Sequence, residues 1–231
     1  TTGSRHRNAG SAALANKCRL CGSTKLEPVL NLGNLALTGI FRKHGRTVPR
    51  APLELVLCEG ECGLLQLRDA VPRDQVFGPS YGYESSVNQT MREHLQHVVK
   101  EACKRVRLEA DDKVLDIGSN DGYLLDCYSW ALDRVGIDPS GARFMEKYHD
   151  KTLVCGFFPG DAPTMQAKII SSIACFYDLE DPLAFAQGVK ARLHPEGIWV
   201  TEQSYMPAML HNLAYDTICH EHIEYYTVRQ I

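Results

Sequence analysis

Residues 113–122, KVLDIGSNDG, decide how this chain is read. Val114, Leu115 and Ile117 form an apolar run of strand length, and Gly118 and Gly122 make a tight turn after it. Asp116 stands near the strand's carboxyl end. In an open α/β sheet that end gathers ligands, because side chains converge there with the first N–H groups of the next helix. About twenty residues further on, Arg134-Val135-Gly136-Ile137-Asp138 supplies a second strand ending in an acid, placed to grip the two hydroxyls of a ribose. A nucleotide-containing cofactor is the expectation.

The glycines narrow the choice. From Gly118 the run is Gly-Ser-Asn-Asp-Gly, without the third glycine that close packing against a pyrophosphate requires. Asn120 and Asp121 set polar and negative groups where a pyrophosphate needs bare N–H donors. A ligand with a positive or zwitterionic end suits the turn better, which disfavours a nicotinamide reductase and favours S-adenosylmethionine. Its ribose would meet Asp138. Its amino acid part would lie near Asp116 and the turn of Gly118, Asn120 and Gly122, and Phe157 and Phe158 would flank the adenine. The run resembles the first motif of the class I methyltransferases.

The remaining patterns extend the sheet. Thr152–Val154 is a short apolar run suited to a sheet edge, and residues 169–176 (IISSIACF) read as a further buried strand. A helix is expected over 182–193, then a strand over 198–201 after His194-Pro-Glu-Gly197, leaving Glu202 and Gln203 at its carboxyl end. Residues 88–106 carry Met91, Leu95, Val98, Val99, Ala102 and Val106 at helical spacing. Strand and helix alternating with short turns predict an α/β fold with a doubly wound, Rossmann-like parallel sheet.

Composition sets the outer limits. The chain has 231 residues and a net charge of −3, and it lacks the basic stripe of a nucleic-acid binder. No apolar run approaches the roughly 18 residues of a membrane span. The first 17 residues hold Arg5, His6, Arg7 and Lys17 without an acid or the apolar core of a secretory signal, and are read as a disordered tail. Nine cysteines are present, but not in the pattern of a secreted disulfide scaffold, so a reducing, cytoplasmic compartment is expected.

Four of those cysteines form two pairs, Cys18-Arg-Leu-Cys21 and Cys58-Glu-Gly-Glu-Cys62, each followed by a glycine. This is knuckle spacing: the turns aim N–H groups at sulfur, and four thiolates fill a closed tetrahedron around structural zinc. Strands are expected at 53–57 and 64–67, with turn chemistry between Asn31 and Pro52. The predicted domains are a tail (1–17), a zinc-binding module (18–76) and a cofactor-binding domain (77–231). Between the last two, Phe77-Gly-Pro-Ser-Tyr81-Gly-Tyr83-Glu-Ser-Ser86 reads as a loop with two phenols.

A second dense cluster lies near the end, Tyr215-Asp-Thr-Ile-Cys-His220-Glu221-His222-Ile-Glu224-Tyr225-Tyr226. Histidines two apart cannot make the helical zinc pair of a metalloprotease. Acid–base work suits them better, since a neighbouring carboxylate fixes a histidine's tautomer and raises its basicity.

Taken in order, the cysteine module, the Tyr-Gly-Tyr-Glu-Ser-Ser loop, VLDIGSNDGYLL, SIACFYDLEDP and DTICHEHIEYY resemble the sugar C-methyltransferases that build branched deoxysugars. The resemblance implies S-adenosylmethionine and a nucleotide-linked 4-keto-6-deoxysugar, deprotonated beside its ketone. It implies His222 as the base, Glu221 orienting it or the substrate, and Tyr83, or less readily Tyr81, at the sugar or the enolate. It also implies a sizeable carboxyl-terminal domain, most of which this chain, stopping at Ile231, does not contain; a monomer is favoured. Two positions depart from the pattern: Cys219 where those enzymes have tyrosine, and Asp178 where they have histidine. The alternatives are methylation of oxygen or nitrogen on a small metabolite, and a non-catalytic binding protein.

Overall fold

The structure is a computed structural model, and it describes residues 13–14, 16–39, 47–78 and 81–231. The chain divides into two compact units, one of residues up to Val76 with Ser204–Ile231, the other of Phe77–Gln203.

The first unit opens with β1 (Ala13–Leu14), β2 (Leu26–Ala36), β3 (Arg50–Cys58), β4 (Leu65–Leu67), β5 (Asp69–Ala70) and the short helix α1 (Arg73–Val76). β1 pairs with β5, so the expected tail gains a strand at Ala13; residues 1–12 and 15 lie outside the described residues. β3 alternates as a half-buried strand should, with Ala51, Leu53 and Leu55 inward. β2 runs through the region expected to turn. Asn31 does make a local turn, its Oδ1 accepting the Gly33 N–H at 2.8 Å with Gly33 at φ +78°, but the ladder to β3 absorbs it as a register shift. The rest of that expected turn, residues 40–46, lies outside the described residues.

The second unit follows with α2 (Gln89–Cys103), β6 (Lys113–Ile117), α3 (Tyr123–Asp126), β7 (Asp133–Ile137), β8 (Thr152–Val154), β9 (Ala167–Ile173), α4 (Pro182–Arg192) and β10 (Leu193–Glu202). Its five strands lie in the order β10-β9-β6-β7-β8, all parallel, with β8 at the edge. The chain moves outward from β6 in one direction through β7 and β8, then returns to the other side for β9 and β10. That reversal makes the carboxyl ends of β6 and β9 the natural place for a ligand crevice. Helix ends are fixed by side chains: Asn88 accepts the N–H groups of Thr90 and Met91 at the start of α2, and Asp181 accepts that of Ala184 ahead of Pro182 in α4. The apolar face of α2 (Leu95, Val99, Ala102) packs in one core with Val114, Leu124, Leu125, Tyr128 and Ile169.

The chain then returns to the first unit with α5 (Met206–His211) and β11 (Glu224–Tyr225), which closes the antiparallel order β11-β4-β3-β2. Met209, Ile223 and Tyr225 join Leu53, Leu55, Leu65 and Leu67 in its core. By its contacts, Ser204–Ile231 groups with the unit that holds the cysteines. No helix among the described residues is long and apolar enough to cross a membrane.

Candidate active site and metal centre

In the second unit, β6 delivers the chain to a turn that only glycine accommodates. Gly118 and Gly122 adopt φ +75° and +77°, and a Cβ on Gly122 would stand 2.8 Å from the Tyr148 ring. Tyr148 packs there because its hydroxyl donates to Ser119 Oγ at 2.9 Å. Between the glycines, Asn120 bends to φ +49° and its backbone N–H donates to Asp138 Oδ2 at 2.8 Å. The other Asp138 oxygen accepts the N–H and hydroxyl of Ser140, at 2.7 and 2.6 Å. Asp138 is thus held at the end of β7 with acceptor capacity left on Oδ2 for a hydroxyl.

Asp116 is 4% exposed, and Ser171 Oγ on β9 donates to it at 2.6 Å. Burial pushes its carboxyl up to about 7; the Ser171 bond pulls it down and the Asp138 charge pushes it further up. The Tyr83–Ser86 loop folds onto the turn from outside. Asn120 donates to the Tyr83 carbonyl at 3.2 Å and accepts the Ser85 N–H at 3.0 Å, while Asp121 accepts the Ser86 N–H at 3.1 Å. The amide of Asn120 is therefore engaged by the loop, and its backbone is what serves Asp138. The Tyr83 side chain is 44% exposed. Phe158 is buried edge-to-face against Phe185, centroids 4.8 Å apart, under the Arg192 guanidinium.

In the first unit, the sulfurs of Cys18, Cys21, Cys58 and Cys62 all lie within 4.8 Å of one another. The Cys18–Cys62, Cys21–Cys58 and Cys21–Cys62 pairs stand at 3.5, 3.6 and 3.4 Å. A zinc ion with 2.3 Å bonds in a tetrahedron needs sulfurs about 3.8 Å apart, so the cluster fits that ion with a small expansion. The Gly60 N–H points at Cys58 Sγ from 3.3 Å, and Gly22 and Gly63 take positive φ in the two knuckles. Hydrogen bonding from the Ser23 backbone brings Cys21 down to about 7, whereas burial holds Cys18 and Cys62 up. Metal loading therefore has protons to displace.

The His-Glu-His run follows a single turn of helix at Tyr215–Thr217. His222 Nδ1 lies 2.9 Å from the Thr217 carbonyl. A carbonyl only accepts, so Nδ1 carries the proton and Nε2 keeps its lone pair. Burial lowers the His222 pKa, against the opposing pull of the Thr217 bond and the Glu221 charge. Glu221 accepts from the Thr38 hydroxyl, and His220, 2% exposed, faces the Ala51 carbonyl at 3.1 Å. Burial pushes the Cys219 thiol up to about 12, with the Glu221 charge adding to it.

Besides Thr217, further polar partners escaped the sequence reading. Ser171 could have been suspected, since a serine inside a buried apolar strand has to find a hydrogen bond. Thr38 on Glu221 has no sequence signal. Nor does the 2.6 Å pair between His94 of α2 and Glu202 at the carboxyl end of β10.

A five-stranded parallel sheet with a glycine turn and two strand-end acids defines a nucleotide-binding α/β enzyme, and the comparisons give its class. Residues 18–77 match the family model described as "Putative zinc binding domain", and residues 87–231 match that described as "Methyltransferase domain". The chain belongs to the methyltransferase-domain family. It is similar to the C-methyltransferase NovU of Streptomyces niveus, with 30% identity over 226 residues, covering 92% of this chain and 53% of the relative. The chain thus spans about half the length of that relative. Among solved structures, a methyltransferase in complex with the Haloferax volcanii Trm112 activator aligns at 22% identity and TM-score 0.49, over 60% of this chain and 66% of that one. The plantazolicin methyltransferase BpumL, complexed with S-adenosylhomocysteine and a substrate analogue, aligns at 18% and 0.46, over 53% and 51%.

Proposed function

We propose that this chain carries the cofactor-binding and acid–base parts of an S-adenosylmethionine-dependent C-methyltransferase that acts on a nucleotide-linked 4-keto-deoxysugar. The observation that carries the reading is the state of His222. Its Nδ1 proton is tied to Thr217 O and burial keeps the ring neutral, so Nε2 is a base ready at neutral pH. The 30% identity to a C-methyltransferase and the resemblance to the sugar enzymes support carbon as the acceptor.

S-adenosylmethionine supplies an electrophilic sulfonium methyl. Asp138 would accept a ribose hydroxyl on its remaining lone pair, and the side-chain-free turn of Gly118 and Gly122 would let the ligand approach the backbone. Asp116 would sit beneath the amino acid end. His222 Nε2 would take the proton from the carbon beside the ketone, and the enolate carbon would attack the methyl group, forming the new C–C bond as the methyl's bond to sulfur breaks and S-adenosylhomocysteine leaves. Glu221 would stabilise the imidazolium, and the Tyr83 hydroxyl would donate to the developing enolate oxygen.

His222→Asn keeps an amide N–H near the position of Nδ1 and removes the base. Turnover should fall by about 10²–10⁴-fold, with the affinity for S-adenosylhomocysteine, measured by calorimetric titration, within a factor of about two of the parent. A joint loss of both would make His222 a residue of the fold and remove the proposed mechanism. Proton NMR of the product separates a C-methyl from a methoxy or N-methyl group.

A further inference from the structure

The first knuckle contains a residue whose contacts lead away from the metal. Arg19, between Cys18 and Cys21, donates its backbone N–H to Gln66 Oε1 at 3.2 Å. Its guanidinium donates to the same oxygen at 3.1 Å and to the Leu67 carbonyl at 2.6 Å. Gln66 is 0% exposed, and its register partner across the β4–β11 ladder is Glu224. The N–H of Leu67 donates at 2.8 Å to the carbonyl of Ile223, the residue after His222. The second knuckle reaches the same segment: the Cys62 carbonyl accepts from Gln230 Nε2 at 2.8 Å, and Gln230 Oε1 accepts the Thr227 N–H at 2.6 Å. The knuckles therefore fasten residues 223–230 at both ends.

A four-thiolate site needs turns and N–H groups near sulfur; it does not need a guanidinium aimed at a neighbouring strand. One guanidinium nitrogen, Nη1, donates to both a buried amide oxygen and a carbonyl, which specifies where β4 lies relative to the knuckle. The following hydrogen bond passes that placement to Ile223. We propose that Arg19 is a positioning residue for His222, setting through Gln66, Leu67 and Ile223 the place from which the imidazole meets Thr217. This rests on the reading of His222 as the base.

The test uses the zinc-loaded chain with ¹⁵N-labelled histidine. Long-range imidazole NMR reports which ring nitrogen of His222 carries the proton, a signature that a purely metal-supporting arginine would leave alone. In the parent chain His222 should give the Nδ1–H form alone. Arg19→Met should retain zinc yet give mixed tautomers at His222, with His94 of the other unit unchanged. Arg19→Lys, which can still reach the Leu67 carbonyl, should recover part of the parent signal. The kcat should fall about tenfold in Arg19→Met with KM for S-adenosylmethionine unchanged. An Arg19→Met chain that keeps zinc and a parental His222 spectrum overturns the proposal. If that variant loses its zinc, Gln66→Leu leaves every ligand and Arg19 in place, and the same two spectra decide. The functional reading fails separately: parental spectra that respond to Arg19→Met, with no turnover of any keto-sugar nucleotide, would leave the positioning intact and remove the assigned reaction.

Discussion

The first unit gathers around four sulfurs, while the second gathers around a five-stranded parallel sheet. In the first, β2 is exposed along almost its whole length, and the core is a single layer of residues such as Leu53, Leu55, Leu67 and Tyr225. In the second, Ile169, Ile170 and Leu125 are fully enclosed and one helix face packs across the sheet. A module that leaves β2 uncovered needs a further source of folding energy, which a metal held by the four thiolates would provide. A sheet covered by apolar side chains does not. His222 in the first unit and Asp116 in the second are both pushed by burial toward their neutral forms, with opposite signs in pH. His222 resists protonation, so its contribution to stability is intact above about pH 6.5 and lost as pH falls below that. Asp116 resists ionisation, so its contribution is present at low pH and lost as pH rises through about 7.

The sharpest way to break the contrast is Cys18→Ser. It should release zinc and destabilise the first unit by on the order of 5 kcal/mol. Both tryptophans, Trp130 and Trp199, belong to the second unit, so fluorescence follows that unit alone. Zinc content and amide exchange should collapse in the first unit while the fluorescence midpoint stays within a few degrees of the parent. A midpoint falling in step with the zinc would mean that the two units unfold together.

Gly122→Ala tests the opposite side. A Cβ at φ +77° and 2.8 Å from the Tyr148 ring should cost about 3 kcal/mol and lower the fluorescence midpoint, with zinc content unaffected. An unchanged midpoint would show that Tyr148 yields freely and that the turn is less constrained than its geometry implies.

The smallest effect sharpens the comparison of the two titrating groups. Asp116→Asn keeps an acceptor for Ser171 and cannot ionise. It should be as stable as the parent near pH 4 and progressively more stable as pH rises through about 7, the gap opening between those values. Urea midpoints across that range would measure it, and a gap independent of pH would mean that Asp116 is not the group being held neutral.

These contrasts were unevenly legible in the sequence. KVLDIGSNDG announces its strand and turn because each signal is local: an apolar run, then two glycines where φ is positive. The cysteine spacing is equally local, and the four sulfurs meet as expected. β2 was harder, because Asn31-Leu-Gly33 forms a real turn whose signal says nothing about the ladder that continues past it. The return of Ser204–Ile231 to the first unit had no local signal at all. It depends on a two-residue strand finding β4 and on apolar residues finding a core assembled far earlier in the chain. For the same reason the residues proposed for acid–base work could be picked out by type, while Thr38 and Thr217, the partners of Glu221 and His222, could not.

That return has a consequence for how the protein is made. The second unit is in effect inserted between two parts of the first, so the knuckles emerge from the ribosome long before β11 does. At ordinary elongation rates the delay between Val76 and Ser204 is on the order of ten seconds. During that interval the edge of β4 that will take β11 lacks its partner strand, a state open to capture by chaperones or by another nascent chain. The proposed base, His222, is thus made well after the knuckles that fasten its segment.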